Sequence, residues 1–134
     1  MELEKAKHEC INKLDFNAPD AFRIFDLNER GFIALSEFKD GLGDLGIYAT
    51  YDDAELIFNR YDRNSDARIE FREFEDAIRP LDCYYDGILA KKHGSHRRVN
   101  PYRRNDIFDP VTANAYVHLL RMHLKVEQAA EAMR

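Results

Sequence analysis

The chain has 134 residues, 45% of them apolar and 34% charged, with a formal net charge of -5. That length suits one ordinary domain, or one small domain with an extension, around a modest hydrophobic core. No run approaches the roughly 18 apolar residues of a membrane span, and Cys10 and Cys83 show no zinc or redox spacing; with no signal-peptide pattern, the expected setting is a reducing cytoplasm.

Leu3, Ala6 or Lys7, Cys10, Ile11 and Leu14 form a narrow apolar stripe, which predicts an N-terminal amphipathic helix within residues 1–16. It would cover the domain's edge or contact a partner. Asn17-Ala18-Pro19-Asp20 is a helix start, with Asn17 placed to cap the N–H of Asp20 and Pro19 tolerated in the first turn. A twelve-residue window then opens at Asp26: Asn28 stands at position 3, Gly31 at 6, Phe32 at 7, Ile33 at 8 and Glu37 at 12. Position 5 is Arg30 and position 9 is Ala34, so an oxygen is lost and a repelling charge gained. No metal is expected there, and Asp26 with Arg30 is the expected internal ion pair. The following helix carries Phe38, Leu42 and Leu45 and ends at Gly46 in the left-handed conformation. Gly41 and Gly43 lower its intrinsic stability, by up to about 1 kcal/mol each.

Thr50 and Asp53 make a capping box ahead of Ala54, Ile57, Phe58 and Tyr61. A second window, Asp62 to Glu73, begins 36 residues after the first. Its oxygen-bearing side chains fall at positions 1, 3, 5, 9 and 12: Asp62, Asn64, Asp66, Glu70 and Glu73. With the backbone carbonyl of Arg68 at position 7, this is the donor set a hard cation such as Ca²⁺ requires. Arg60, Arg63, Arg68 and Arg72 crowd the window and oppose a divalent cation. Ile69, at position 8, is placed to pair with Ile33. Phe74, Ala77 and Ile78 continue at helical spacing until Pro80.

Residues 17–80 resemble an EF-hand pair of the calmodulin superfamily, in their helix pattern, their loop pattern and the spacing of the loops. The resemblance implies an all-α fold, a four-helix lobe with short β-pairing between the loops, and calcium as the ligand of the second loop only. The departure in that loop is Ala67, which stands where the family has Gly; a Cβ in a left-handed turn costs on the order of 1 kcal/mol. Phe22, Phe25, Phe38, Phe58, Tyr61, Phe71 and Phe74 read as core. The methionine-rich groove of a promiscuous sensor has little counterpart. The stretches EFKDGLGDLGI and NRYDRNSDARIEFREFEDAIRPLDCYY also resemble small EF-hand proteins of protist ciliary microtubules, which brings in a cytoskeletal or axonemal location.

Residues 81–108 read as a basic connector: Lys91, Lys92, Arg97, Arg98, Arg103 and Arg104 stand without an acidic residue between Lys91 and Arg104. The connector either grips an acidic surface or neutralises the lobe; with Tyr102 alone for stacking, nucleic acid is not the expected partner. Asp109-Pro110 starts a last amphipathic helix, residues 109–134. Val111, Ala115, Leu119, Met122 and Val126 form its seam, read as a partner-binding face. Three fates stay open for it: its own lobe, a partner helix or assembly, or a second copy. No catalytic motif stands out, so the reading is a non-enzymatic scaffold for a helical protein partner with at most one weak Ca²⁺ site, or alternatively a Ca²⁺ sensor.

Overall fold

The first helix, α1 (Glu2–Ile11), buries Ala6, Cys10 and Ile11. It stops short of Leu14, which belongs to the expected stripe but is 99% exposed because the backbone has left the helix before reaching it. Asn17 then accepts the N–H of Asp20 at 2.8 Å and starts α2 (Ala18–Arg23), with Pro19 in the first turn. The computed structural model describes residues 2–95 and 98–133.

Three further helices complete the lobe: α3 (Leu35–Asp44), α4 (Tyr51–Tyr61) and α5 (Phe71–Ile78). Thr50 caps α4 by accepting the N–H of Asp53 at 3.1 Å, as the capping box requires. Two short strands, β1 (Phe32–Ile33) and β2 (Ile69–Glu70), pair antiparallel with Ile33 opposite Ile69. Both isoleucines are fully buried, so the pairing ties the loops together from inside.

Aromatic rings fill the space between the four helices. Phe38 stacks on Phe25 at 5.0 Å between centroids and meets Tyr61 edge-on at 5.8 Å, while Tyr61 meets Phe74 at 6.0 Å. Such pairs add about 0.5–1.5 kcal/mol each beyond the area they bury. Gly41 is part of this packing: a Cβ there would lie 2.2 Å from the Phe25 ring, so the helix keeps a glycine where the ring presses against it.

After the lobe, the expected connector contains a helix, α6 (Cys83–Ala90), capped by Asp82, which accepts the N–H of Tyr84 at 2.9 Å. Tyr85 lies flat on His8 at 3.9 Å, holding α6 against α1. A 3₁₀ turn, Arg104–Ile107, leads into α7 (Pro110–Ala132). Asp109 stands at the cap position but makes no side-chain cap bond; Asp15 reaches across the chain instead, accepting the N–H of Asp109 at 2.7 Å and the hydroxyl of Thr112.

The last helix lies along α1 and α4. Its buried face carries Ala113, Tyr116, Leu119, Leu120, Met122 and His123. This corrects the partner-binding seam: Leu119 and Met122 are buried against their own chain, Ala115 is half-buried, and Val111 and Val126 are exposed. The inward face includes side chains with polar tips, Tyr116 and His123, which an apolar-only pattern passes over. The Tyr116 hydroxyl donates to the carbonyl of Ala21 at 3.1 Å.

Candidate metal centre

Each loop is turned by the carboxylate at its first position. Asp62 accepts the N–H groups of Asp66 at 3.3 Å and Ala67 at 2.9 Å. Asp26 does the same for Arg30 at 3.1 Å and Gly31 at 2.9 Å. Position 6 is left-handed in both loops, with φ 88° at Gly31 and 65° at Ala67, so the alanine adopts the turn and carries its steric cost.

In the second loop Asp62, Asp66 and Glu73 each offer a carboxylate oxygen, and the three atoms lie within 4.8 Å of one another. Oxygens bound to one Ca²⁺ at about 2.3–2.6 Å can be no more than about 5 Å apart, so the three fit a common ion. Burial, with Asp66 beside it, holds the Asp62 carboxyl above its ordinary range. A divalent cation would relieve that crowding of negative charge. Glu73 is steadied by the N–H of Glu70 at 3.0 Å and of Asn64 at 3.3 Å.

The remaining expected donors surround this cluster less closely. The Asn64 side-chain oxygen accepts the N–H of Asp66 at 3.4 Å, and the Arg68 N–H donates to Asp66 at 3.0 Å. Glu70 is exposed and outside the three-carboxylate cluster, in keeping with a position that often reaches an ion through water.

Three of the four arginines expected to oppose an ion have other partners. Arg60 pairs with Glu127 at 3.5 Å, Arg63 with Asp76 at 3.5 Å, and the Arg68 guanidinium lies 4.5 Å from the centre of the Phe32 ring. The last contact joins the two loops, since Arg30 lies at 4.5 Å from the same ring.

In the first loop the guanidinium of Arg30 is bound to Glu37, the carboxylate at position 12. This corrects the expected Asp26–Arg30 pair. Asp26 is committed to two backbone N–H groups, whereas Glu37 extends across the loop and meets the side chain from position 5. Asn28 also approaches Glu37, at 3.4 Å. The cation in this loop is one of its own side chains.

The basic connector divides in two. Lys92 donates to the carbonyls of Ile11 and Lys13, the latter at 2.6 Å, and so closes the end of α1. Arg104 is buried; it donates to the carbonyl of Ile24 at 3.0 Å and has Asp44 at 2.7 Å from Nε as an ion partner outside hydrogen-bond alignment. These two are therefore structural rather than contact residues. Lys91, Arg98 and Arg103 are exposed, with Asp106 at 3.9 Å from Arg103; Arg97 lies outside the described residues.

Sequence reasoning missed the groups behind the second loop. The Tyr61 hydroxyl, immediately before Asp62, is hydrogen-bonded to Nδ1 of His123 in α7. Burial, reinforced by Lys7 and Arg60, holds the His123 pKa down to about 3, so the ring is neutral. Gln128 of α7 also reaches Asp53 at 3.1 Å. Tyr61 and His123 stand 62 positions apart, too far for periodicity to signal their contact.

A family model described as an EF-hand domain pair matches residues 10–79. Among curated relatives, "Probable calcium-binding protein CML28" of Oryza sativa subsp. japonica is 36% identical over 62 residues, covering 45% of this chain and 36% of that protein. "Calcium-binding protein 7" of Homo sapiens is 32% identical over 76 residues, covering 57% of this chain and 35% of that protein. The chain thus spans little more than a third of these relatives' own length. No solved structure gives a significant match. Paired loops turned by Asp26 and Asp62, joined through Ile33 and Ile69 and matched across residues 10–79, make this chain a member of the EF-hand family.

Proposed function

We propose that this chain is a non-enzymatic scaffold for a protein partner, built on an EF-hand pair that takes one Ca²⁺. The ion is held by Asp62, Asn64, Asp66, the carbonyl of Arg68, Glu70 and Glu73, while the first hand serves as its packing partner. The observation that carries this reading is the contrast between the loops: three carboxylates converge in the second, and the Arg30 guanidinium occupies Glu37 in the first. The relatives' names, both of calcium-binding proteins, support the choice of ion.

The position of α7 favours a scaffold over a sensor that opens a groove. A lobe whose own helix buries Leu119, Leu120 and Met122 already has an occupant. The partner then meets the outside of the fold, where Lys91, Arg98 and Arg103 offer positive charge to an acidic protein surface. A cytoskeletal or ciliary assembly is the setting that the sequence resemblance suggests.

Calorimetric titration with Ca²⁺ in millimolar Mg²⁺ tests the ion assignment. One ion per chain is expected, abolished by Glu73→Gln and retained by Glu37→Gln. Two ions, or binding that survives Glu73→Gln, would refute it. Assembly with the partner in chelator separates scaffold from sensor: a complex that forms only with Ca²⁺ would favour the sensor.

A further inference from the structure

We propose that His123 is a positioning residue for the second cation loop, so that docking of α7 and binding of a divalent cation reinforce one another. The inference rests on the one-ion reading and adds to it a residue well outside the family match, which ends at residue 79.

Tyr61 is the last residue of α4, and Asp62 is both its neighbour and the first ligand of the loop. Successive Cα atoms are held about 3.8 Å apart, so a shift of the Tyr61 backbone carries Asp62 with it. That ring is fully buried between Phe38 and Phe74. Its hydroxyl meets His123 and so is satisfied inside the core by α7. A buried hydroxyl left without a partner is costly, and the orientation of Tyr61 therefore depends on where α7 lies. The Arg60–Glu127 and Asp53–Gln128 contacts fix the register of α7 along the same helix.

The sign of the coupling follows from the loop. With α7 docked, the oxygens of Asp62, Asp66 and Glu73 are already gathered within 4.8 Å. The docked arrangement is thus the cation-competent one, and by reciprocity a bound cation holds α7 down. An open cleft of about 640 Å³ is lined by Asp62 and Glu73 together with His123 and Glu127. The first hand has no equivalent: Phe25 stands where Tyr61 does, with no hydroxyl to offer.

Calorimetry on the full chain with Ca²⁺ as the probe tests this. His123→Phe keeps a ring and removes the hydrogen-bond partner of Tyr61; it should weaken binding about five- to tenfold, the lower range of ordinary coupling between sites. His123→Asn, whose amide restores a hydrogen-bonding group near Nδ1, should recover most of the loss. Tyr61→Phe should match His123→Phe, and combining the two should cost little more. Leu89→Ala, a buried change in α6, controls for general destabilisation and should leave affinity within about twofold, as expected of a site with no shared partners. An affinity unchanged in His123→Phe but lost in Glu73→Gln would overturn the proposal and leave the one-ion reading standing. If the native chain takes no ion, the one-ion reading fails and the coupling to a cation with it, and amide exchange over residues 62–73 decides whether His123 positions the loop. Faster exchange in His123→Phe than in Leu89→Ala would support it, and equal exchange would overturn it.

Discussion

In the first loop Asp26 gathers the N–H groups of positions 5 and 6, and in the second Asp62 gathers the same pair, so the backbones turn alike. What differs is the side chain at position 5. Arg30 sends a guanidinium to Glu37, whereas Asp66 adds a carboxylate to Asp62 and Glu73. One hand supplies its own positive charge, and the other gathers negative charge. The ties behind the loops differ as well: Arg104 holds the carbonyl of Ile24 beside the first, and His123 holds the hydroxyl of Tyr61 beside the second. A shared fold therefore permits opposite electrostatic solutions, each joined to a different part of the C-terminal extension.

The strongest way to break this contrast is Arg30→Asp, which should give a second ion per chain by calorimetry and make the hands alike in kind. Gly41→Ala probes the packing beneath the first hand. Against the Phe25 ring it should cost about 1–3 kcal/mol in urea denaturation, whereas Gly43→Ala, which meets nothing within 4 Å, should gain up to about 1 kcal/mol. Acid should act on the tie behind the second hand. The pKa of His123 is about 3 in the fold, below the 6.5 of a free histidine, so the unfolded chain binds the extra proton between these values. Stability is full above 6.5 and falls with pH through that window, by about 1–2 kcal/mol from pH 7 to 5, a loss His123→Phe should lack. Ala67→Gly should give the smallest effect, a gain below about 1 kcal/mol, as the second loop loses the steric cost that Gly31 spares the first.

Features governed by neighbours in sequence were legible. Asn17 caps Asp20, Thr50 caps Asp53, and Ile33 meets Ile69, because caps and loop positions are set by spacing. Loop positions likewise pointed to Asp62, Asp66 and Glu73, whose carboxylates the fold gathers within 4.8 Å of one another. The partner of Arg30 was not legible, since Asp26 and Glu37 both flank the loop centre and only geometry shows which is free. Helix α6 escaped notice because its apolar residues show no clear face. The destination of α7 was left open because a seam looks the same whether it meets its own chain or another. Lys92 and Arg104 resembled surface charge until their acceptors, carbonyls far off in sequence, were brought beside them.

The way α1 is held bears on how the protein is made. Its end is closed by Lys92, its His8 lies on Tyr85, and Asp15 just beyond it waits for Asp109 and Thr112. On the ribosome the first helix therefore emerges long before the residues that cover it, while the hands behind it can already close. At about 5–20 residues per second, some 3–10 seconds pass between synthesis of the lobe and of α7. During that interval Cys10 and Ile11 are open to solvent and to any chaperone that recognises a bare apolar stripe.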